Sequence, residues 1–288
     1  MARIAYMNGQ YRSLSTPMVQ VEDRGFQFSD GVYEVCLVVD GLLWDAKGHF
    51  ERWRRSLSEL SIPEPMNETS MRLVCRKLLN KNRLRTALLY LQATRGVAPR
   101  NHVFKSEGLR PSLSLTARPF NLDAWNTRAR KGVAVQIHDD IRWGRVDIKS
   151  ISLLPNVLAK KTASDGGAAE AWLCKDGAIT EGSSSNAWIV NNDGTLVTHP
   201  KGNSILGGIT RESVIACARD LQMKVEERPF SIEEVDEAQE AFITSATNLV
   251  TPVVQVDDRK VGDGTPGSHA LRLRDAYIDR CKREGETL

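Results

Sequence analysis

Lys149 stands among Val146, Ile148, Ile151 and Leu153, apolar neighbours that would desolvate its amine and favour the neutral nucleophile. Downstream, Thr180-Glu181-Gly182-Ser183-Ser184-Ser185-Asn186 sets one acid inside a run of hydroxyls and an amide. A carboxylate there could hold a protonated ring nitrogen through a charge-assisted hydrogen bond. Leu206-Gly207-Gly208-Ile209-Thr210 leads straight into a helical pattern. A helix start offers free N–H groups and the positive end of the dipole to an anion, and glycines permit close approach. Thr94 to His102 reads as a loop with two arginines and a histidine. Singly, these are a lysine snorkelling to solvent, a hairpin-end acid, turn glycines and a solvated arginine. In combination they suit carbonyl chemistry on a lysine beside an anchored anion.

Rigid elements must position these groups. Asn8-Gly9 between Arg3–Met7 and Gln10–Arg12, and Asp40-Gly41 between Tyr33–Val39 and Leu42–Trp44, are hairpin signals. A helix is predicted from about Ala46 to Leu60 with Asp45 as N-cap, and a second from Thr69 to Leu79 beyond Pro63 and Pro65. Ala87–Ala93, Ser112–Ala117 and Val133–His138 read as strands, the first apolar enough to be buried on both faces. The pattern loosens around Phe120–Asn126, which divides the chain into a small N-terminal α+β domain (1–120), a linker (121–126) and a larger C-terminal domain (127–288) carrying Lys149. Beyond it come a strand Val146–Lys149, a helix Leu154–Ser164 and hairpins at Asp176-Gly177 and Asp193-Gly194. A helix Thr210–Leu221, a strand Lys224–Glu227 and a short helix behind a Ser231/Glu234 capping box follow. Strand Ala241–Ser245, a hairpin around Asp257-Asp258 and a helix His269–Arg283 close the chain. Without strict βαβ alternation, the class expected is α+β.

The 288 residues carry a net charge of only +3, too little to argue for nucleic acid. Arg52-Trp53-Arg54-Arg55 reads as a mostly solvated helix face. Five scattered cysteines without a CxxC pair read as reduced thiols of a cytoplasmic protein. Asn8-Gly9 comes too early for a signal-peptide apolar region, and no apolar run reaches the ~18 residues of a membrane span. No HExxH, Cys/His spacing, Walker A motif or GxGxxG is present, so neither a metal nor a nucleotide is expected.

Asp147-Ile148-Lys149-Ser150, Asn156-Val157-Leu158-Ala159-Lys160 and Thr180 to Asn186, in that order, resemble the D-amino-acid transaminases of the fold-type IV, branched-chain aminotransferase-like class. The resemblance runs from Glu22-Asp23-Arg24-Gly25 to Thr251-Pro252-Val253. It implies a two-domain α+β, fold-type IV enzyme using pyridoxal 5′-phosphate (PLP). Lys149 would be the Schiff-base lysine and acid/base, and Glu181 would face the pyridine nitrogen. Ser183, Ser184, Ser185 and Asn186 would bond the cofactor or orient Glu181. Arg52, Ile209 and Thr210 would hold the phosphate. In Thr244-Ser245-Ala246-Thr247 an alanine replaces a frequent hydroxyl, so Ser245 or Thr247 would substitute. The resemblance assigns Tyr33, Arg100 and His102 to a trap for the substrate α-carboxylate, the last two supplied by a neighbouring subunit, which implies a homodimer. Fixing the carboxylate decides which face of Cα Lys149 reaches, and so D or L. The expected reaction moves the amino group of a D-amino acid to a 2-oxo acid. Alternatives on this scaffold are an aminodeoxychorismate lyase or a branched-chain or R-amine transaminase; another is a PLP-binding protein without turnover.

Overall fold

The computed structural model describes residues 3–16, 18–104 and 108–288. They form two compact units: Met1–Asn121 with Ile148–Ser152 and Glu284–Leu288, and Leu122–Asp147 with Leu153–Arg283. The expected linker is the start of a helix, and the segment bearing Lys149 groups with the N-terminal unit.

The first unit is built on β1 (Ile4–Met7), β2 (Gln10–Ser13), β3 (Gly31–Val39), β4 (Leu42–Leu43), β5 (Ala87–Thr94) and β6 (Ser112–Pro119). With a last strand, Glu286–Thr287, they make an antiparallel sheet in the order 286–287, β4, β3, β5, β6, β1, β2. Three helices accompany it: α1 (Arg24–Phe28), α2 (Ala46–Glu59) and α3 (Glu68–Asn82). Alternation along β3 sends Val32, Cys36 and Val38 into a core with Phe50, Trp53 and Leu57 of α2 and Met71, Cys75 and Leu78 of α3. Each such side chain contributes about 1.5–3 kcal/mol by burial. On the opposite face Leu88 and Thr94 of β5 are buried and Tyr33, Tyr90 and Gln92 half-buried, so β5 is covered on both faces, less completely on this one. Asp45 does not cap α2. It is left-handed (φ 51°) and makes no capping bond, because the turn out of β4 denies it the extended backbone a cap needs. Five-residue α1 is too short to show a period in sequence, though Asp23 caps it by accepting from Gly25 N–H.

Val146–Lys149 is not a strand. Ser150 forms a single bridge with Val32, the Tyr33 N–H donates to Lys149 O (3.0 Å), and Ile151 N–H donates to Gly31 O (3.0 Å). Along β3, β4 covers only Val38 and Val39, which leaves the start of β3 with an open edge. Three residues suffice to fill it, and buried Ile148 anchors them in the core.

The second unit contains α4 (Leu122–Lys131), β7 (Val133–Asp139), α5 (Leu154–Asp165), β8 (Glu170–Lys175), β9 (Ala178–Gly182), β10 (Asn186–Val190) and β11 (Leu196–Thr198). There follow α6 (Ile209–Asp220), β12 (Val225–Glu227), β13 (Phe230–Ser231), α7 (Ile232–Glu237), β14 (Glu240–Ser245), β15 (Leu249–Val256), β16 (Arg259–Lys260) and α8 (Ser268–Glu284). Its sheet runs β12, β11, β10, β14, β15, β7, β8, β9, β13, with β16 on β15. The β11–β12, β15–β7 and β7–β8 pairs are parallel, so the sheet is mixed and the α+β expectation holds. The Ser231/Glu234 capping box forms as expected.

In the first unit, Asp30 just before β3 accepts from Arg24 Nε (2.8 Å) and from Arg95 Nε and Nη2 (2.8 and 2.9 Å). Burial raises its carboxyl, but the two arginines outweigh that and hold it below the usual 3.8. A depressed folded pKa gives stability that is full above the unfolded value and lost as pH falls through the folded one. Asp30→Asn should cost about 3 kcal/mol at pH 7. The gap from wild type should shrink below about pH 4 in urea melts; a gap independent of pH would refute the role given to Asp30.

Candidate active site

In the first unit, His49, Arg52 and Ser56 share one face of α2, three and four residues apart. Arg52 donates through Nε to Glu34 Oε1 (2.7 Å) and through Nη2 to Oε2 (2.8 Å), while His49 Nδ1 lies 2.9 Å from Oε2. Burial would raise Glu34, but Arg52 and His49 prevail and hold it far below the usual carboxylate range. Arg52 is thereby fixed as a rigid fork. Glu34, Cys36 and His49 come close enough to suggest a metal site. The Arg52 fork occupies both Glu34 oxygens, and the group is better read as the mount of Arg52.

The Lys149 backbone N–H donates to Ser56 Oγ (3.2 Å), and Nζ lies 4.2 Å from the centroid of the Tyr33 ring. The half-buried ammonium makes no ion pair or hydrogen bond among the described residues. Tyr33 stacks on Tyr90 (5.6 Å). Burial pushes Tyr90 up to about 12, so its hydroxyl stays neutral and donates to Gln92 Oε1 (2.7 Å).

Arg100 and His102 lie together in an exposed loop around Phe28, the guanidinium 4.7 Å and the imidazole 5.4 Å from that ring. Buried Arg24 holds the loop by donating to Asn101 O (2.6 Å) and His102 O (3.4 Å). Within one chain neither Arg100 nor His102 makes a hydrogen bond, ion pair or ring contact with Tyr33.

In the second unit, buried Glu181 accepts from Arg142 Nη1 (2.5 Å), Asn186 Nδ2 (3.0 Å) and the Leu206 N–H (3.0 Å). Arg142 is itself gripped by Asp140 (2.7 Å). Burial disfavours its charge, but Asp140 and Glu181 more than restore it, so the guanidinium is raised. Asn186 Nδ2 also donates to Leu206 O (2.9 Å), tying Glu181 to the chain that enters α6. At the start of α6, Gly208 supplies no side-chain cap. Thr210 is 2% exposed, and its hydroxyl has no partner among the described residues. An orphaned buried hydroxyl beside the free N–H groups of Ile209 and Thr210 is a donor set without an acceptor. It fits a phosphate. Buried Arg211, the next residue, pairs instead with Glu212 (2.9 Å) and Glu227 (2.7 Å). Ser245 Oγ accepts from Asn248 N (3.0 Å) and Nδ2 (3.0 Å) and lies 3.2 Å from Thr247 Oγ1.

The serine run departs from expectation. Ser183, Ser184 (2.6 Å) and Ser185 (3.1 Å) donate their hydroxyls to Glu170, not to Glu181. Glu170 is 0% exposed and also takes Lys160 Nζ (2.9 Å) and Ala171 N–H (2.9 Å). A carboxylate this deep needs every donor within reach, and the serines are the nearest. Sequence reasoning missed Glu34, Arg142 and Glu170. An acid beginning a run of buried strand residues was the available signal for Glu170; nothing in the spacing marked Arg142.

Residues 31–256 match the Amino-transferase class IV family. The D-alanine aminotransferase of Staphylococcus haemolyticus is 38% identical over 272 residues, covering 94% of this chain and 95% of that protein. That of Bacillus licheniformis is 39% identical over 260 residues, 90% of each. Among solved structures, the Escherichia coli branched-chain amino acid aminotransferase superposes with a TM-score of 0.89 at 23% identity, over 99% of this chain and 97% of that one. The PLP-bound form of a hypothetical aminotransferase from Mycobacterium tuberculosis gives 0.83 at 21% identity, over 98% and 99%.

Gly208 has an ordinary backbone (φ −70°, ψ 130°), yet a Cβ there would lie 1.9 Å from Asn186 Oδ1. Space alone demands glycine. Gly208→Ala should displace Asn186 and cost about 1–3 kcal/mol. Adding Asn186→Ala should cost less than the two single changes summed, as measured by urea denaturation. Strict additivity would disprove the coupling.

Proposed function

The chain belongs to the class IV aminotransferases, and from that membership we propose that it is a PLP-dependent enzyme of fold-type IV moving the amino group of a D-amino acid, such as D-alanine, to a 2-oxo acid such as 2-oxoglutarate or pyruvate. The observation that carries the reading is Lys149: a half-buried amine over the Tyr33 ring that pairs with no acid among the described residues. D-alanine is suggested by the D-alanine aminotransferases that match nearly the whole chain.

The donor sets divide the task. Arg52, the N–H groups of Ile209 and Thr210, the Thr210 hydroxyl and Ser245 would hold the cofactor phosphate. When bound, the cofactor supplies an aldehyde carbon that receives the amino group and a ring that accepts the electron pair left at Cα. Lys149 Nζ would link to that carbon and, once free, would be the group that takes and returns the Cα proton. Glu181, which accepts from Arg142 Nη1, would face the protonated ring nitrogen and hydrogen-bond it. Asn186 and the Leu206 N–H keep its carboxylate in place. Ser185 acts at one remove, pinning the hairpin through Glu170.

Arg100, His102 and Tyr33 form the proposed carboxylate trap. Since Arg100 and His102 meet Phe28 rather than Tyr33 in their own chain, the proposal has them serve a second copy, which makes the enzyme a homodimer. Five cysteines, four of them buried and none in a disulfide, support a reducing cytoplasmic setting.

The test mixes holoenzyme separately with D-alanine and L-alanine, without oxo acid. D-alanine alone should convert the cofactor absorbance to that of the pyridoxamine form; a response confined to L-alanine would overturn the handedness and favour the branched-chain type. Lys149→Ala should lose the lysine-linked absorbance and about 10⁴-fold or more in turnover. Retained turnover would sink the assignment.

A further inference from the structure

Arg274, on α8, is 3% exposed. Its acceptors are Asn248 O (3.1 Å), Val250 O (2.5 Å) and Asn126 Oδ1 (2.8 Å). All three are neutral. The other buried arginines are matched by acids: Arg24 and Arg95 by Asp30, Arg211 by Glu212 and Glu227. Exposed Asp275 beside Arg274 offsets the burial only in part, and Arg130 works against it, so among the described residues no acid pairs directly with the guanidinium. Burial pushes the guanidinium down to about 10, so it stays charged at neutral pH. A buried cation without a counter-charge is costly unless an anion lies within reach of its field.

What Arg274 grips indicates where that anion belongs. Its bonds take the carbonyls of Asn248 and Val250, on either side of left-handed Leu249 (φ 55°). Asn248 in turn gives two N–H bonds to Ser245 Oγ. With both lone pairs used, Ser245 can act only as a donor, toward Thr247 Oγ1 3.2 Å away or toward an anion at the turn. The neighbouring Thr244 pairs across the sheet with Asn186, whose side chain fills the space at Gly208 before the donor set of α6.

We propose that Arg274 is a positioning residue for the cofactor phosphate: it sets the Ser245–Asn248 turn as a donor and supplies a positive charge behind it that the phosphate compensates. This rests on the reading that Ser245 and Thr210 face the phosphate. The test titrates full-length enzyme, freed of cofactor, with PLP and with pyridoxal, which lacks the phosphate, and compares the two affinities. Arg274→Gln, which keeps donors and drops the charge, should weaken PLP about tenfold and pyridoxal less than about twofold. Arg274→Lys should retain the preference for PLP. Asn126→Asp leaves Arg274 in place but sets a carboxylate against it, and should lower the preference without lowering the melting temperature. It also serves if Arg274→Gln does not fold. An unchanged preference in Arg274→Gln and Asn126→Asp, or an equal loss for both ligands, would overturn the proposal. If Thr210→Val and Ser245→Ala also leave the preference at its wild-type value, the phosphate reading itself has failed.

Discussion

A carboxylate taken out of water must be surrounded by donors, and that constraint organises both units of this chain. Glu34 meets it with the Arg52 fork and His49; Glu170 with a lysine and three serine hydroxyls; Glu181 with an arginine, an amide and a backbone N–H. Each acid gathers side chains from segments distant in sequence. Each therefore fixes several groups at once, and the chemistry depends on that fixing.

The serine run shows how the constraint allots roles. Its hydroxyls are spent on Glu170, which locks the turn between β9 and β10. Glu181 at one end and Asn186 at the other are thereby presented at a set separation. Asn186 then couples Glu181 to the start of α6, where Gly208 leaves room for its side chain. Lys149 is the contrast. Its backbone is tied to Tyr33 and Ser56, but among the described residues its side-chain amine has no salt bridge. In the proposed role, which asks it to bond carbon and carry a proton, an ion pair would tie it up.

Much of the fold was legible because burial imposes periodicity. The alternation of β3, the helical stripe of α2 and the hairpin dipeptides all follow from local sterics and one-sided burial. The errors fall where local rules lose to packing. Val146–Lys149 has strand composition, but the open edge of β3 admits only a bridge. Asp45 has the right residue type for a cap and the wrong backbone. Residues 121–126 read as a linker by polarity, yet from Leu122 on they belong to α4.

The sequence by itself determined the class of chemistry. Lys149, Glu181, the Gly-Gly-Ile-Thr run and the Arg-x-His pair are short strings, each complete within a few residues. Local order suffices to recognise them. Only the tertiary structure decided who holds these groups in place. Glu34 under Arg52, Arg142 against Glu181, Glu170 beneath the serines and Arg274 behind the Ser245 turn are partners set by chain reversal. A buried charge takes whatever donor or acceptor the fold brings within about 3 Å, and separation along the chain does not enter that distance.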